Sequence, residues 1–247
     1  MSKRRTVLNW SPRAIVFDCD GTLMDTERHW QDARTRAFRE FGLVPPPGFA
    51  ERAKGVHYVD CGRLMAEETH KPELAPDLTT SLLGHFLALV AQEPRTMPGA
   101  PEFVRLVAGR LPLAVASNCP LEVVEESLDR ARLRQFFRHI VVPTVTPGGA
   151  RRPAPQGRVG PEVRPKPSPD VYLRAAHLCG VLPVDAVAVE DSVTGIESAR
   201  RAGLRVLGVG SLPHAKDGTE PDADTWVATL HDEEVLVWAR ERMPAAP

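Results

Sequence analysis

The stretch AIVFDCDGTLMDTE, residues 14–27, decides the fold and points to the chemistry. Its apolar first half ends in Asp18 and Asp20, and Gly-Thr follows before a third acid, Asp25. Residues i and i+2 of a strand face the same way, so Asp18 and Asp20 project together if the chain is still extended there. A structural turn, a metal site, and a nucleophile with its proton-transfer partner all remain open at this point.

Composition bounds the class of protein. The chain has 247 residues, of which 26% are charged and 43% are hydrophobic, and its formal net charge is −1. This is a globular composition, with room for one sizeable domain and a smaller one. The nearly neutral balance gives no indication of nucleic acid or an anionic membrane surface. No stretch stands out as a membrane helix of ~20 apolar residues. We therefore expect neither a nucleic-acid partner nor a membrane partner.

The cysteines bear on the compartment. Cys19, Cys61, Cys119 and Cys179 are spread along the chain without a C-x-x-C pair or a Cys/His cluster. This spacing argues against a disulfide framework or a zinc site and favours a reducing environment. The basic N-terminus is followed by too short an apolar run for a signal peptide. We therefore expect a cytoplasmic protein.

Short apolar runs predict a parallel sheet. Each run is rich in Val, Ile or Ala and is bounded by polar or turn residues, as expected for strands that are buried on both faces. Helical patterns lie between the runs, and this alternation predicts an α/β fold with a Rossmann-like, doubly wound core. The predicted strands are residues 14–18, 113–117, 139–142, 186–190 and 205–209.

Two segments depart from this rhythm. Residues 26–97 contain three helical patterns and no convincing strand, which predicts a small α-helical domain inserted after the first strand. We expect residues 1–25 and 98–247 to form the core. Residues 143–165 are rich in Pro, Gly and Arg and predict a long loop. The arginines of this loop either clamp an anionic substrate or belong to a solvated excursion.

Polar residues after the second strand and in a Pro-rich segment extend the site. Ser117 and Asn118 end one apolar run, and the Ser117 hydroxyl either bonds a phosphate oxygen or caps the next helix. Lys166 lies between two prolines, which stiffen the backbone and help to fix where the ammonium points. Alone, Lys166 would be a surface lysine.

Two acids follow the fourth predicted strand. Glu190 and Asp191 stand at its carboxyl end, as Asp18 does for the first strand, and open α/β sheets bind ligands at such ends. Asp191 either caps the following helix or shares a metal ion with Asp18.

These segments together resemble the haloacid dehalogenase-like hydrolase superfamily over nearly the whole chain. DCDGTLMDTE resembles the first family motif, Ser117 the second, Lys166 the third, and VEDSVTGIESARRAG the fourth. The resemblance implies that the helical insert is a C1-type cap. FREFGL (38–43) and AKGVHY (53–58) also resemble the sugar-phosphate phosphatases of the superfamily, such as 6-phosphogluconate phosphatase, and more distantly its β-phosphoglucomutases.

The resemblance also implies roles for individual residues. Asp18 would attack phosphorus to form an aspartyl-phosphate, and Asp20 would act as acid and base. Mg²⁺, a hard cation that prefers oxygen ligands, is the implied cofactor. The implied catalytic residues are Asp18, Asp20, Ser117 and Lys166. The implied metal ligands are Asp18, Asp20 through its main-chain oxygen, Asp191, and Glu190 in support. The implied substrate contacts are Ser117, Asn118, Lys166, and Lys54 and Gly55 of the cap.

Individual residues also distinguish between other activities of the superfamily. L-2-haloacid dehalogenases and phosphonoacetaldehyde hydrolases lack the second aspartate of the first motif, so Asp20 argues against both. Lys54 is then a cap-surface or substrate-contacting residue. β-Phosphoglucomutase carries a histidine twelve positions after the nucleophile, where this chain has Trp30. His29 stands one position earlier and keeps a mutase as the alternative.

The sequence therefore predicts a Mg²⁺-dependent phosphatase acting on a small phosphorylated metabolite. A non-catalytic protein that binds such a metabolite is a further alternative, and the loss of motif residues would be its sign. All of the implied catalytic residues are present. The oligomeric state stays open, with a monomer as one option.

Overall fold

The computed structural model describes residues 6–53, 56–92, 95–145, 162–211 and 222–243. Within these residues a six-stranded sheet has the order β3-β2-β1-β4-β5-β6, and every neighbouring pair is parallel. All five predicted strands are confirmed to within one residue at their ends, whereas the sixth strand has no counterpart among the predictions. The strands are β1 Ala14–Phe17, β2 Leu113–Ala116, β3 His139–Val141, β4 Ala186–Glu190, β5 Arg205–Val209 and β6 Thr225–Val227.

The two central strands, β1 and β4, are buried along their whole length. Alternate side chains of β1 enter different cores: Ile15 and Phe17 belong to one buried cluster, and Ala14 and Val16 to another. Two cores on opposite faces confirm the doubly wound α/β fold. The helices of this part of the chain are α5 Ala100–Val107, α6 Leu121–Arg130, α7 Asp170–Leu178, α8 Val193–Arg201 and α9 Glu233–Arg242.

Helices also fill the sequence between β1 and β2. The longest of them, α4, packs against both α1 and α3. Its side chains at three- and four-residue spacing, including Leu82, Phe86 and Val90, are buried, as the amphipathic pattern predicts. The short α2 has no counterpart among the predicted helices. The bounds are α1 Glu27–Glu40, α2 Phe49–Ala53, α3 Tyr58–Glu68 and α4 Ala75–Gln92.

The two chain segments that join these helices to the sheet lie side by side. The Asp25 N–H donates to the carbonyl of Arg95 at 2.9 Å, and the Met97 N–H donates to the carbonyl of Leu23 at 2.9 Å. The polypeptide therefore enters and leaves the helical insert at one place.

One helix among the described residues is long and apolar enough to cross a membrane. It comprises residues 72–92; an 18-residue window of it has a mean hydropathy of 1.3, and 28% of that window is buried inside the protein. The expectation that no stretch has this length and hydropathy is therefore wrong. One such helix is weak support for a membrane partner, because core helices pass the same test. The buried side chains of α4 are Leu78, Leu82, Phe86, Leu89 and Val90.

Candidate active site

Three carboxylates meet at the carboxyl ends of β1 and β4. Asp18 directly follows β1, and Glu190 and Asp191 stand at the end of β4, which pairs with β1. Each carboxylate offers one oxygen, and these oxygens all lie within 4.8 Å of one another. The two strands are parallel neighbours, so their carboxyl ends share one edge of the sheet. The fold thereby joins residues that are far apart in sequence.

A tight turn after Asp18 brings the first loop against Asp191. Gly21 adopts φ +88°, in the left-handed region that favours glycine. A β-carbon on Gly21 would lie only 2.3 Å from Oδ2 of Asp191. The Thr22 hydroxyl donates to Oδ1 of Asp191 at 3.2 Å. Only glycine at position 21 therefore allows the loop and the carboxylate to approach this closely.

Lys166 supplies positive charge to the three carboxylates. Its side chain is only 4% exposed, and its ammonium contacts Oδ1 of Asp18 and lies 2.6 Å from Oε1 of Glu190. Burial opposes the charge of the ammonium, but the two carboxylates outweigh burial and raise the pKa of Lys166 above its ordinary value. Lys166 is therefore a buried, charged lysine rather than a surface lysine.

The Asn118 side chain holds the backbone of Lys166. Its Oδ1 accepts a hydrogen bond from the Lys166 N–H at 2.8 Å, and its Nδ2 donates to the Lys166 carbonyl at 3.3 Å. Two residues before Lys166, the Arg164 guanidinium pairs with both carboxylate oxygens of Asp170, at 2.9 and 3.0 Å. The Asn118 amide therefore holds the backbone of Lys166, and the predicted contact between Asn118 and substrate stays a prediction.

Both oxygens of the fully buried Glu190 accept hydrogen bonds. Oε1 accepts from the Lys166 ammonium at 2.6 Å and from the Tyr172 hydroxyl at 2.7 Å. Oε2 accepts from the N–H groups of Asp191 and Ser192 and from the Ser192 hydroxyl, at 3.1 to 3.2 Å. The carboxylate is thereby fixed in position.

Ser192, not Asp191, caps the helix that follows β4. Its hydroxyl accepts a hydrogen bond from the Gly195 N–H at 3.1 Å, in the first turn of α8. The Asp191 carboxylate instead belongs to the acidic group beside Asp18. The alternative in which Asp191 serves as a helix cap is therefore excluded.

The charges of the group do not balance. Burial raises the pKa of Asp18 well above its usual range; Lys166 offsets this in part, and the neighbouring carboxylates add to it. Burial, and then the charge of Glu190, likewise raises the pKa of Asp191 to about 7. Three carboxylates facing one ammonium leave an excess of negative charge, which a divalent cation would offset. Because every side-chain donor is a carboxylate oxygen, the set fits a hard cation.

The Asp20 carboxylate lies next to this group and is held at both oxygens. The Thr26 hydroxyl donates to Oδ1 at 2.6 Å, and the Ser117 hydroxyl lies 3.4 Å from Oδ2. Ser117 itself accepts a hydrogen bond from the Cys119 N–H at 3.0 Å. The predicted role of Asp20 as a metal ligand concerns its main-chain oxygen and stays a prediction.

Some predicted residues lie outside the described part of the chain. Lys54 and Gly55 are among them, as are residues 146–161 of the predicted loop. Where the ends of that loop are described, Thr144 and Val163 are joined by two hydrogen bonds of 2.9 Å.

Sequence reasoning missed two hydroxyl groups of the site. Tyr172 lies inside a predicted helix, and Thr22 lies within the first motif without an assigned role. The position of Tyr172 six residues after Lys166 is no signal by itself, because the contact depends on how α7 packs against the sheet. The bond from Thr26 to Asp20 was not anticipated either, because it depends on the tight turn at Gly21.

Comparison with known proteins assigns the family. Residues 12–203 match the haloacid dehalogenase-like hydrolase family. This chain belongs to that family. All four motif segments identified in the sequence lie within the matched residues.

Two relatives of this chain are named as phosphatases. The phosphorylated carbohydrates phosphatase of Thermotoga maritima is 27% identical over 226 residues, covering 90% of this chain and 96% of the relative. The 6-phosphogluconate phosphatase of Escherichia coli is 26% identical over 227 residues, covering 86% and 89%. The expected hydrolase class is thereby confirmed, and these names support a phosphoric monoester hydrolase.

A solved structure supports the fold alone. The β-phosphoglucomutase of Clostridium difficile has a TM-score of 0.70 to this chain at 18% identity, covering 93% of this chain and 98% of the mutase. The expected haloacid dehalogenase-like architecture is confirmed by this likeness. At such low identity it carries no argument about the reaction.

Proposed function

We propose that this haloacid dehalogenase-like hydrolase is a Mg²⁺-dependent phosphatase. Its substrate would be a small phosphorylated metabolite, a sugar phosphate or sugar-acid phosphate, and the reaction would pass through an aspartyl-phosphate on Asp18. The observation that carries the proposal is the convergence of Asp18, Glu190 and Asp191 around the Lys166 ammonium. The phosphatase names of the relatives support the choice of reaction.

Asp18 is the proposed nucleophile. One of its oxygens bonds to phosphorus while the bond from phosphorus to the ester oxygen breaks. Charge opposes this approach: two unit negative charges at ~4 Å repel by ~1 kcal/mol in water, and by several times more in a shielded site. The buried ammonium of Lys166 lowers this cost, and the Ser117 hydroxyl would donate to a phosphoryl oxygen.

Asp20 is the proposed acid and base. In the first step it gives its proton to the departing ester oxygen. In the second step it takes a proton from the water that attacks phosphorus, and the bond from phosphorus to Asp18 breaks. Inorganic phosphate leaves and the Asp18 carboxylate is restored. The Thr26 hydroxyl orients the carboxylate of Asp20 for both transfers.

Asp18 and Asp191 would hold the Mg²⁺ ion together with the main-chain oxygen of Asp20, and Glu190 would support it. When bound, the ion supplies positive charge that offsets the carboxylates and the phosphoryl oxygens. The protein anchors these ligands by its own contacts: Thr22 holds Asp191, and five hydrogen bonds hold Glu190.

Residues 26–97 would act as the cap, and residues 1–25 and 98–247 as the catalytic core. The paired linkers at Asp25 and Arg95 support this division, because both connections lie at one place. The cap would contact the substrate through Lys54 and Gly55. A cytoplasmic location is supported by the cysteines, all four of which are free thiols.

Two observations favour hydrolysis over the mutase alternative. Trp30, at the position of the mutase histidine, stacks on Phe86 with ring centroids 3.6 Å apart and an angle of 13°. His29 is 5% exposed and lines a pocket with Asp25 and Asp32, and none of the three carboxylates at the strand ends is among the described residues that line this pocket. The Trp30 ring carries no acid or base, and its packing supports a role in the helical bundle.

The test is phosphate release from a panel of phosphorylated sugars, sugar acids and polyols in the presence of Mg²⁺. We expect release by the wild-type protein and none by Asp18→Asn, with the thermal midpoint of unfolding retained. Asp129→Asn, at an exposed site on α6, is the control and should be fully active. Unchanged turnover by Asp18→Asn would remove Asp18 as the nucleophile.

Two further assays of the wild-type protein distinguish a phosphatase from a mutase and from a binding protein. With β-glucose 1-phosphate and a bisphosphate activator, glucose 6-phosphate without free phosphate indicates a mutase. Bound Mg²⁺ without turnover of any ester indicates a binding protein.

A further inference from the structure

The Tyr172 hydroxyl reaches the charged centre from α7, and no motif assigns it a role. Tyr172 is fully buried, and its hydroxyl is engaged by groups of the protein. Its hydroxyl lies 2.7 Å from Oε1 of Glu190 and 3.4 Å from Nζ of Lys166. The Lys166 ammonium also lies 4.9 Å from the centroid of the Tyr172 ring.

The direction of these hydrogen bonds follows from the chemistry of the groups. An ionised carboxylate only accepts and an ammonium only donates. Tyr172 therefore donates to Glu190 and accepts from Lys166. Tyr172, Lys166 and Glu190 are thereby joined pairwise by hydrogen bonds.

Glu190 connects Tyr172 to the nucleophile. Its Oε1 is shared between the Tyr172 hydroxyl and the Lys166 ammonium, while its Oε2 is fixed by the first residues after β4. The Lys166 ammonium is in turn shared between Glu190 and Asp18. Without the hydroxyl, Oε1 would attract the ammonium more strongly, because a charged acceptor with fewer donors binds its remaining donor more tightly.

We propose that Tyr172 is a positioning residue that acts through Glu190 and sets how the Lys166 ammonium is divided between Glu190 and Asp18. The hydroxyl keeps the ammonium beside the carboxylate that meets phosphorus. This inference rests on the proposed function of Asp18 and Lys166.

The test is Tyr172→Phe, which removes only the hydroxyl. We expect kcat for phosphate release to fall about tenfold, while KM stays within about twofold of the wild-type value. The reason is that the displaced ammonium stabilises the transition state less, whereas substrate binding is little changed. Orthovanadate mimics the five-coordinate phosphorus of that state. In calorimetry with Mg²⁺ it should bind about tenfold more weakly to the variant, whereas inorganic phosphate should change by less than about twofold.

Two controls separate positioning from a general loss of stability. Thr225→Val removes a hydroxyl that accepts from the Val7 N–H at 2.9 Å on the edge strand β6, and it should leave kcat and vanadate affinity unchanged. In a Glu190→Gln background, Tyr172→Phe should have little further effect, because the two residues act as one unit.

Wild-type kcat and wild-type vanadate affinity in Tyr172→Phe would overturn the inference, and so would full additivity with Glu190→Gln. The proposed function fails separately, if the wild-type protein releases no phosphate from any ester. In that case the binding of vanadate and phosphate still decides the role of Tyr172, and a wild-type protein that binds neither overturns both proposals.

Discussion

The Thr26 hydroxyl donates a 2.6 Å hydrogen bond to Oδ1 of Asp20. Thr26 is the residue before α1, and its hydroxyl makes no capping bond to that helix. The first helix of the insert is therefore tied to the proposed acid/base residue through a buried side chain.

Thr26→Val should lower kcat by about tenfold and leave KM nearly unchanged. Valine keeps the shape of threonine but removes the donor, and a hydrogen bond contributes about 0.5–1.5 kcal/mol. Steady-state kinetics measures the change. Thr35→Val on the same helix is the matched control, since it removes an exposed hydroxyl that bonds the Gln31 carbonyl at 3.0 Å. Equal kcat in the two variants would contradict the role of Thr26.

Gly195→Ala should destabilise the protein and lower its activity. A β-carbon there would lie 1.8 Å from Oε1 of Glu190, whose carboxylate is held by hydrogen bonds at both oxygens. Such overpacking costs about 1–3 kcal/mol in the free energy of unfolding, which denaturant titration measures.

Gly84→Ala in α4 is the control for this substitution. Outside its own helical turn and chain neighbours, no atom of the described residues lies within 4 Å of the position that a β-carbon on Gly84 would take. Alanine favours a helix over glycine by about 1 kcal/mol, so this variant should be more stable than the wild type. A Gly195→Ala protein as stable and active as Gly84→Ala would show that Glu190 can move freely.

Asn118→Ala should lower kcat more than it raises KM. The Asn118 amide satisfies both the N–H and the carbonyl of Lys166, so its removal loosens the backbone that carries the ammonium. We expect a loss of about tenfold in kcat, the size of one or two hydrogen bonds. A large rise in KM at constant kcat would instead support the predicted contact between Asn118 and the substrate.

Mg²⁺ should bind more weakly as the pH falls below about 7. Burial, and then Glu190, raises the pKa of Asp191 to about 7, and a carboxylate must lose its proton to bind a metal. For a single competing proton, the apparent Kd should rise by up to about tenfold per pH unit below that value and level off above it. Calorimetry at about pH 6 and about pH 8 tests this, and equal affinities would contradict it.

The raised pKa of Asp191 also makes the stability of the metal-free protein depend on pH. The folded protein holds the Asp191 proton up to about pH 7, whereas the unfolded chain releases it near 3.8. The contribution of this group to stability is therefore present below pH 3.8 and is lost as the pH rises through about 7. The thermal midpoint of the metal-free protein should fall over this window, and Mg²⁺ should reduce the fall.

The sheet was predictable because its strands are short apolar runs that alternate with helical patterns. The runs at Ala14 and Ala186 proved to be the two central strands. β6 was missed because Thr225–Val227 follows Asp-Ala-Asp and forms no apolar run, unlike the equally short β3. The five-residue α2 was missed because it is too short for a helical period.

The site was predictable where chemistry coincides with strand ends. Asp18 and Asp191 lie together because the parallel strands β1 and β4 bring their carboxyl ends to one edge of the sheet. Lys166 follows no strand and reaches this edge from the segment before α7. The hydroxyl partners of the site were not predictable: Tyr172 reaches Glu190 and Lys166 through the packing of α7, and Thr26 reaches Asp20 after a tight turn. The amide of Asn118 likewise turned to the Lys166 backbone.

By itself, the sequence determined the α/β class, the positions of the central strands and the acids at their ends. These features depend on local hydrophobic patterning and on motif spacing, which a linear chain records directly. Only the tertiary structure decided that Ser192 rather than Asp191 caps α8, that Trp30 stacks on Phe86, and that Tyr172 shares Glu190 with Lys166. Those relationships depend on distances between segments, and such distances exist only once the sheet and its helices have packed.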